Sequence, residues 1–168
     1  MCNIRKASSA LNKLFVYGAL KYGEPNHSIL LNRGNGFARY WCRATTMEKF
    51  PLVIATRYNI PFLIKKAGTG NYVIGEIYEV DDRMLNSLDS LEDCQDIYTR
   101  ELLDMNIGVG EGTVPCWVYL LQKYPEKLLN LPYISQYKNS AQHPYTHRNK
   151  RTHKHPPNED LTYNVSSQ

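Results

Sequence analysis

The chain has 168 residues, 42% of them hydrophobic and 21% charged, with a formal net charge of +4. This is the size of one domain with core enough to fold without disulfide or metal staples, and no apolar run approaches the ~18 residues of a membrane span. The positive charge does not make a nucleic-acid face: residues 1–137 carry 15 basic against 14 acidic side chains, and the excess of five over two lies in residues 138–168.

Residues 1–12 read as a short N-terminal arm. They lack an apolar signal core, and Cys2 stands where myristoylation needs glycine, so a cytoplasmic protein is expected. Lys13–Gly18 (KLFVYG) is apolar, aromatic and β-branched, the pattern of a strand closed by glycine. Gly23 and Pro25 mark a loop, and Asn26 is placed to cap a short helix over Ser28–Leu31. Phe37–Glu48 reads as a long strand. Pro51–Ala55 and Pro61–Lys65 read as two short ones around a turn at Arg57–Asn59.

Gly68, Thr69 and Gly70 turn the chain into a strand at Tyr72–Val80. Asp81 or Asp82 then caps a helix, whose Met84, Leu85, Leu88 and Leu91 recur at three- and four-residue spacing. Tyr98–Ile107 and Thr113–Gln122 form a hairpin across GVGEG, and after Tyr124 the pattern dissolves. About seven short strands and two short helices without regular alternation argue against a doubly wound sheet. They fit an α+β fold, a small mixed β-barrel with short helices outside.

Four isolated cysteines without a CxxC pair read as reduced thiols and not as a zinc site. Four of the five histidines fall in a polar tail without the Cys or carboxylate partners of a metal tract. GxSxG, HExxH, P-loop and GxGxxG motifs are all absent. His27, the sole histidine before the tail, reads as a capping or surface residue.

Carboxylates concentrate instead, ten against two arginines over residues 76–104. Glu92 follows the apolar helix face and is either a surface carboxylate or, if partly buried at the unfavourable end of the helix dipole, suited to a general base. Glu76, on a strand face with Ile74, Tyr78 and Val80, is its rival: either paired, with Arg100 or a tyrosine, or catalytic. Tyr17 and Gly18 end the first strand. The N–H groups that follow form either an ordinary glycine turn or an anion-binding nest.

The string VYGALKYGEPNH resembles the VYGTLKxGxPNH signature of γ-glutamylcyclotransferase-like proteins, nearest to the γ-glutamylaminecyclotransferase branch. FPLVIA, NIPFL, GTGNYVIGEIYEVDDRML, LDSLEDC, YTRELL and WVYL follow in the same order, and the arm from Leu131 to Arg151 resembles that branch's C-terminal arm. The resemblance covers residues 13–151 and leaves 152–168 as a tail expected to lack order. It implies a compact mixed β-barrel that cyclises a γ-glutamyl group to 5-oxoproline and releases the amine, with a small molecule as partner and no cofactor, metal, nucleic acid or membrane. A monomer is expected.

By this resemblance the catalytic glutamate falls on Glu92 and the substrate loop on Tyr17, Gly18, Ala19 and Leu20. Tyr98 and Tyr119 either line the pocket or serve in packing. Two departures stand out. Ala19 replaces a usual threonine or serine, and Gln95 a frequent proline. The alternatives are the same chemistry on another γ-glutamyl substrate, or a silent binding protein on the same fold.

Overall fold

The computed structural model describes residues 10–91 and 98–151. Seven strands alternate with little helix: β1 (Asn12–Val16), α1 (His27–Leu31), β2 (Ala38–Phe50), β3 (Leu52–Ala55), β4 (Ile60–Leu63), β5 (Asn71–Val80), α2 (Asp82–Leu91), β6 (Tyr98–Asn106) and β7 (Thr113–Leu121). Two short 3-10 turns, Glu126–Asn130 and Arg148–Lys150, lie in the C-terminal arm. Five strands close a barrel in the order β1-β5-β2-β6-β7, and β3 and β4 form a separate hairpin. The barrel is mixed because its seam, Leu14 against Trp117, is parallel while the other pairings are antiparallel. The expected mixed barrel with outer helices is therefore what forms. Its strand boundaries shift by at most two residues, and Asn12, assigned to the arm, is the first residue of β1.

Alternation along the strands sorts side chains between two cores. Phe15, Val73, Ile77, Cys116, Val118 and Leu120 fill the barrel. Leu14, Val16, Tyr78, Val80 and Tyr119 face outward and are covered by Leu30 of α1 and Met84, Leu85 and Leu88 of α2. Asp81 fixes the start of α2: its Oδ1 accepts the N–H groups of Met84 at 2.8 Å and Phe37 at 3.0 Å. Gly75 lets β1 and β5 approach, since a Cβ there would sit 2.4 Å from the Val16 carbonyl oxygen.

The stretch after Tyr124, patternless in sequence, is pinned to the rest of the protein. Ile134 N–H donates to Leu52 O and Ile74 N–H to Ser135 O, while Thr146 N–H donates to Tyr58 O. Tyr137 is buried in the barrel cluster. Hydrogen bonds and a few buried side chains such as Tyr137, not a periodic apolar face, hold this arm.

Candidate functional site

β1 ends at Val16, and the chain turns into a loop before α1. Consecutive turns use the loop's carbonyls: Lys21 N–H donates to Gly18 O, Glu24 N–H to Lys21 O, and Asn26 N–H to Ala19 O at 2.8 Å. Among the described residues, no acceptor takes the N–H groups of Gly18, Ala19 or Leu20. All three residues line a cleft open to solvent at its mouth. Tyr17, Asn26, Pro61, Tyr119 and Tyr145 complete much of its wall. Unsatisfied N–H groups along a cleft wall suit an anionic oxygen, whether a carboxylate or one developing in a reaction.

Gly18 serves a purpose other than the sharp turn expected of it. Its φ is not in the left-handed region. A Cβ at this position would lie 2.8 Å from Pro61 Cγ and 3.3 Å from Pro61 Cβ. Glycine is needed because β4 packs against the loop.

A polar chain leads from the cleft to α2. The Tyr17 hydroxyl donates to the Tyr119 carbonyl at 2.7 Å. The Tyr119 hydroxyl donates to Asp89 Oδ1 at 2.7 Å. Asp89 also receives Arg100 through Nε at 2.8 Å and Nη2 at 3.0 Å, a bidentate grip, and the guanidinium lies 4.4 Å over the Trp117 ring. Asp89 stands in the last turn of α2, which ends at Leu91. The Leu91 carbonyl accepts an N–H from Arg148 of the arm. Glu92 and Gln95 lie outside the described residues, as do the 1–9 and 152–168 stretches.

Of the expected site residues, the structure brings Tyr17, Gly18, Ala19, Leu20 and Tyr119 to one cleft. Tyr98 sits elsewhere: its ring stacks on Phe62, 6.0 Å between centroids, in the cluster under the β3–β4 hairpin. Glu76 is paired with a tyrosine and not with Arg100. Its Oε2 accepts the Tyr78 hydroxyl and the Tyr22 N–H, both at 2.9 Å, and so braces the loop. Burial, then that carboxylate, pushes the Tyr78 phenol well above its usual range. The imidazole Nδ1 of His27 lies 3.0 Å from Leu20 O, a structural contact within the loop.

Asn26 precedes α1 as expected but makes no side-chain cap. Its Nδ2 donates instead to the Tyr145 hydroxyl at 2.8 Å, because the arm passes within reach. Lys21 escaped sequence reading altogether. Its side chain is buried, its Nζ donates to Tyr137 O at 2.6 Å, and burial holds its pKa below the ordinary lysine range. The same arm brings Tyr145 into the cleft wall. Among the described residues, no three His, Cys, Asp or Glu side chains converge as a metal site. No described helix is long and apolar enough to cross a membrane.

Comparison with known proteins gives this geometry its family. Residues 14–139 match the model of "Gamma-glutamyl cyclotransferase, AIG2-like". The chain is 71% identical over 167 residues to the Troponin C-akin-1 protein of Drosophila melanogaster, covering 99% of this chain and 100% of that one. It is 43% identical over 142 residues to the Gamma-glutamylaminecyclotransferase of Bos taurus, covering 84% of each. The crystal structure of an AIG2-like protein from Mus musculus superposes with a TM-score of 0.80 at 41% identity, covering 84% of this chain and 99% of that one. The chain belongs to the γ-glutamyl cyclotransferase, AIG2-like family.

Proposed function

We propose that this family member cyclises γ-glutamyl amines, such as γ-glutamyl-ε-lysine, to 5-oxoproline and the free amine. One observation carries the reading: three consecutive N–H groups without a described acceptor line a cleft. That cleft is linked through Tyr119 and Asp89 to the final turn of the helix that precedes Glu92. The relatives named for γ-glutamylamine substrates support the amine branch over other γ-glutamyl compounds.

The chemistry asks little of the protein. The substrate's own α-nitrogen attacks its γ-carbonyl carbon and closes a five-membered ring. Tethering replaces an enzyme nucleophile, and effective molarities on the order of 10⁵ M are available to well-oriented intramolecular attack. The α-ammonium loses two hydrogens, and both end on the departing amine as the γ-carbon–nitrogen bond breaks. In this reading Glu92 takes each proton and returns it, while the N–H groups of Gly18, Ala19 and Leu20 hold the oxyanion or the α-carboxylate. Backbone donors make the missing hydroxyl at Ala19 tolerable. No metal or organic cofactor is required, and we take the enzyme to work as a monomer in the cytoplasm.

The test is release of 5-oxoproline from γ-glutamyl-ε-lysine by the wild type and by Glu92→Gln. Product from the wild type and a ~10²–10⁴-fold loss in the folded variant are expected. A wild type inert toward this substrate, glutathione and a panel of γ-glutamyl amino acids would refute the reading. The silent binding protein would then be the better description.

A further inference from the structure

The C-terminal arm adds to the cleft a group that ring closure does not use. Tyr145 lines the cleft. Its phenol oxygen receives two donors, Asn26 Nδ2 at 2.8 Å and Arg151 Nη2 at 2.9 Å. A phenol carries one hydrogen of its own beside its acceptor capacity. With the acceptor directions occupied, that hydrogen is left to donate, and no described residue accepts it.

Arg151 makes the donor stronger. Its guanidinium is fixed by an Nε bond to Thr146 O at 3.0 Å and lies over the rings of Tyr58 at 5.2 Å and Tyr145 at 5.3 Å. No described carboxylate pairs with it. No acidic side chain stands among the described residues of the cleft wall. A phenol backed by a cation that no described carboxylate neutralises, on a wall whose described side chains carry no negative charge, suits an anionic oxygen.

This donor belongs to the arm and is separate in the chain from the loop N–H groups. The arm reaches the cleft from the β3–β4 side, tied there by Thr146 N–H to Tyr58 O at 3.0 Å and by Asn59 Nδ2 to Pro144 O at 2.9 Å. The loop N–H groups, which take the reacting half in the function proposed above, come from the end of β1. We propose that Tyr145, backed by Arg151 and Asn26, is a specificity-determining residue that receives a carboxylate on the amine half of the substrate. The inference rests on the γ-glutamyl-amine reading and extends it: the preferred leaving amine is an amino acid and not a simple amine.

The experiment compares γ-glutamyl-ε-lysine with γ-glutamylcadaverine, the same molecule without the lysine carboxylate, on the full chain. A charge-assisted hydrogen bond corresponds to a ~10–100-fold preference. The wild type is expected to show that preference in kcat/KM. Tyr145→Phe, which keeps the ring, should abolish most of it, with the loss for the lysine substrate appearing in KM. Arg151→Gln should shift the ratio in the same direction by less. An unchanged ratio in Tyr145→Phe, with an unchanged melting temperature, would overturn the proposal. If the wild type turns over neither compound, the function reading fails by itself and calorimetric binding decides this inference. A preference for the lysine compound that Tyr145→Phe removes sustains it; equal affinities, or no binding, overturn it.

Discussion

Replacing Gly18 with alanine tests whether the loop must lie where it does. The added Cβ would stand 2.8 Å from Pro61 Cγ, while carbon pairs settle at ~3.5–4.0 Å. Loop or hairpin must therefore yield by about 1 Å. Overpacking of this kind costs about 1–3 kcal/mol, a fall of ~2–4 °C in melting temperature per kcal/mol for a chain of this size. A displacement of ~1 Å in groups that position a reacting centre costs on the order of 10²-fold in rate. Melting temperature and 5-oxoproline release report both effects. Pro61→Ala in the same chain removes Cγ and leaves only the Cβ contact at 3.3 Å. The double variant should therefore regain at least tenfold of the lost kcat/KM, a favourable coupling between the two sites. Gly18→Ala within threefold of wild-type kcat/KM, or a double variant no better than the single, would refute the steric argument.

Two further outcomes concern groups behind the cleft wall and in the barrel core. Asp89→Asn places amide hydrogens where Arg100 and Tyr119 now donate. Both partners of the ion pair keep a fifth or more of their side-chain exposure, so solvent screening limits the loss to about 1–2 kcal/mol. Thermal melting should fall by several degrees, and kcat should drop more than KM changes, since the last turn of α2 loses its anchor; an unchanged kcat would separate that turn from the chemistry. Burial pushes the Cys116 thiol up to about 12 from 9.0. Iodoacetamide at pH 8 should then leave Cys116 unmodified in the folded protein and alkylate it in guanidinium, read by peptide mass. Because the folded value is raised, the thiol's contribution to stability is complete below pH 9 and is lost as pH climbs toward 12. Rapid native alkylation would show that the barrel opens.

The sequence was most legible where contacts are local. Period-two alternation in YVIGEIYEV and the leucine face of DRMLNSLDSL specify β5 and α2 through neighbours a few residues apart. The cleft was half legible. VYGALK marks the loop, yet the reason for Gly18 lies in Pro61, 43 residues away along the chain. Asn26 had a local role available as a cap, and a partner 119 residues distant outcompeted it. Lys21 reads as an exposed lysine until Tyr137 arrives to accept its ammonium. Tyr98 had both a pocket and a packing role open to it, and Phe62 of the hairpin claims its ring. The arm has no periodicity because it lies across other elements and forms only short 3-10 turns of its own.

The barrel is sealed by joining its first strand to its last at Leu14 and Trp117. Just beyond that seam the Tyr17 hydroxyl reaches the Tyr119 carbonyl, and both residues line the cleft. Separating β1 from β7 would therefore pull the cleft's walls apart at the same stroke. Ligand binding and barrel closure become one linked equilibrium, in which a ligand that recognises only the closed form stabilises it by RT ln(1 + [L]/Kd), about 2.7 kcal/mol at a hundredfold excess over Kd. The place where the cylinder is fastened is also the place that a bound molecule would latch.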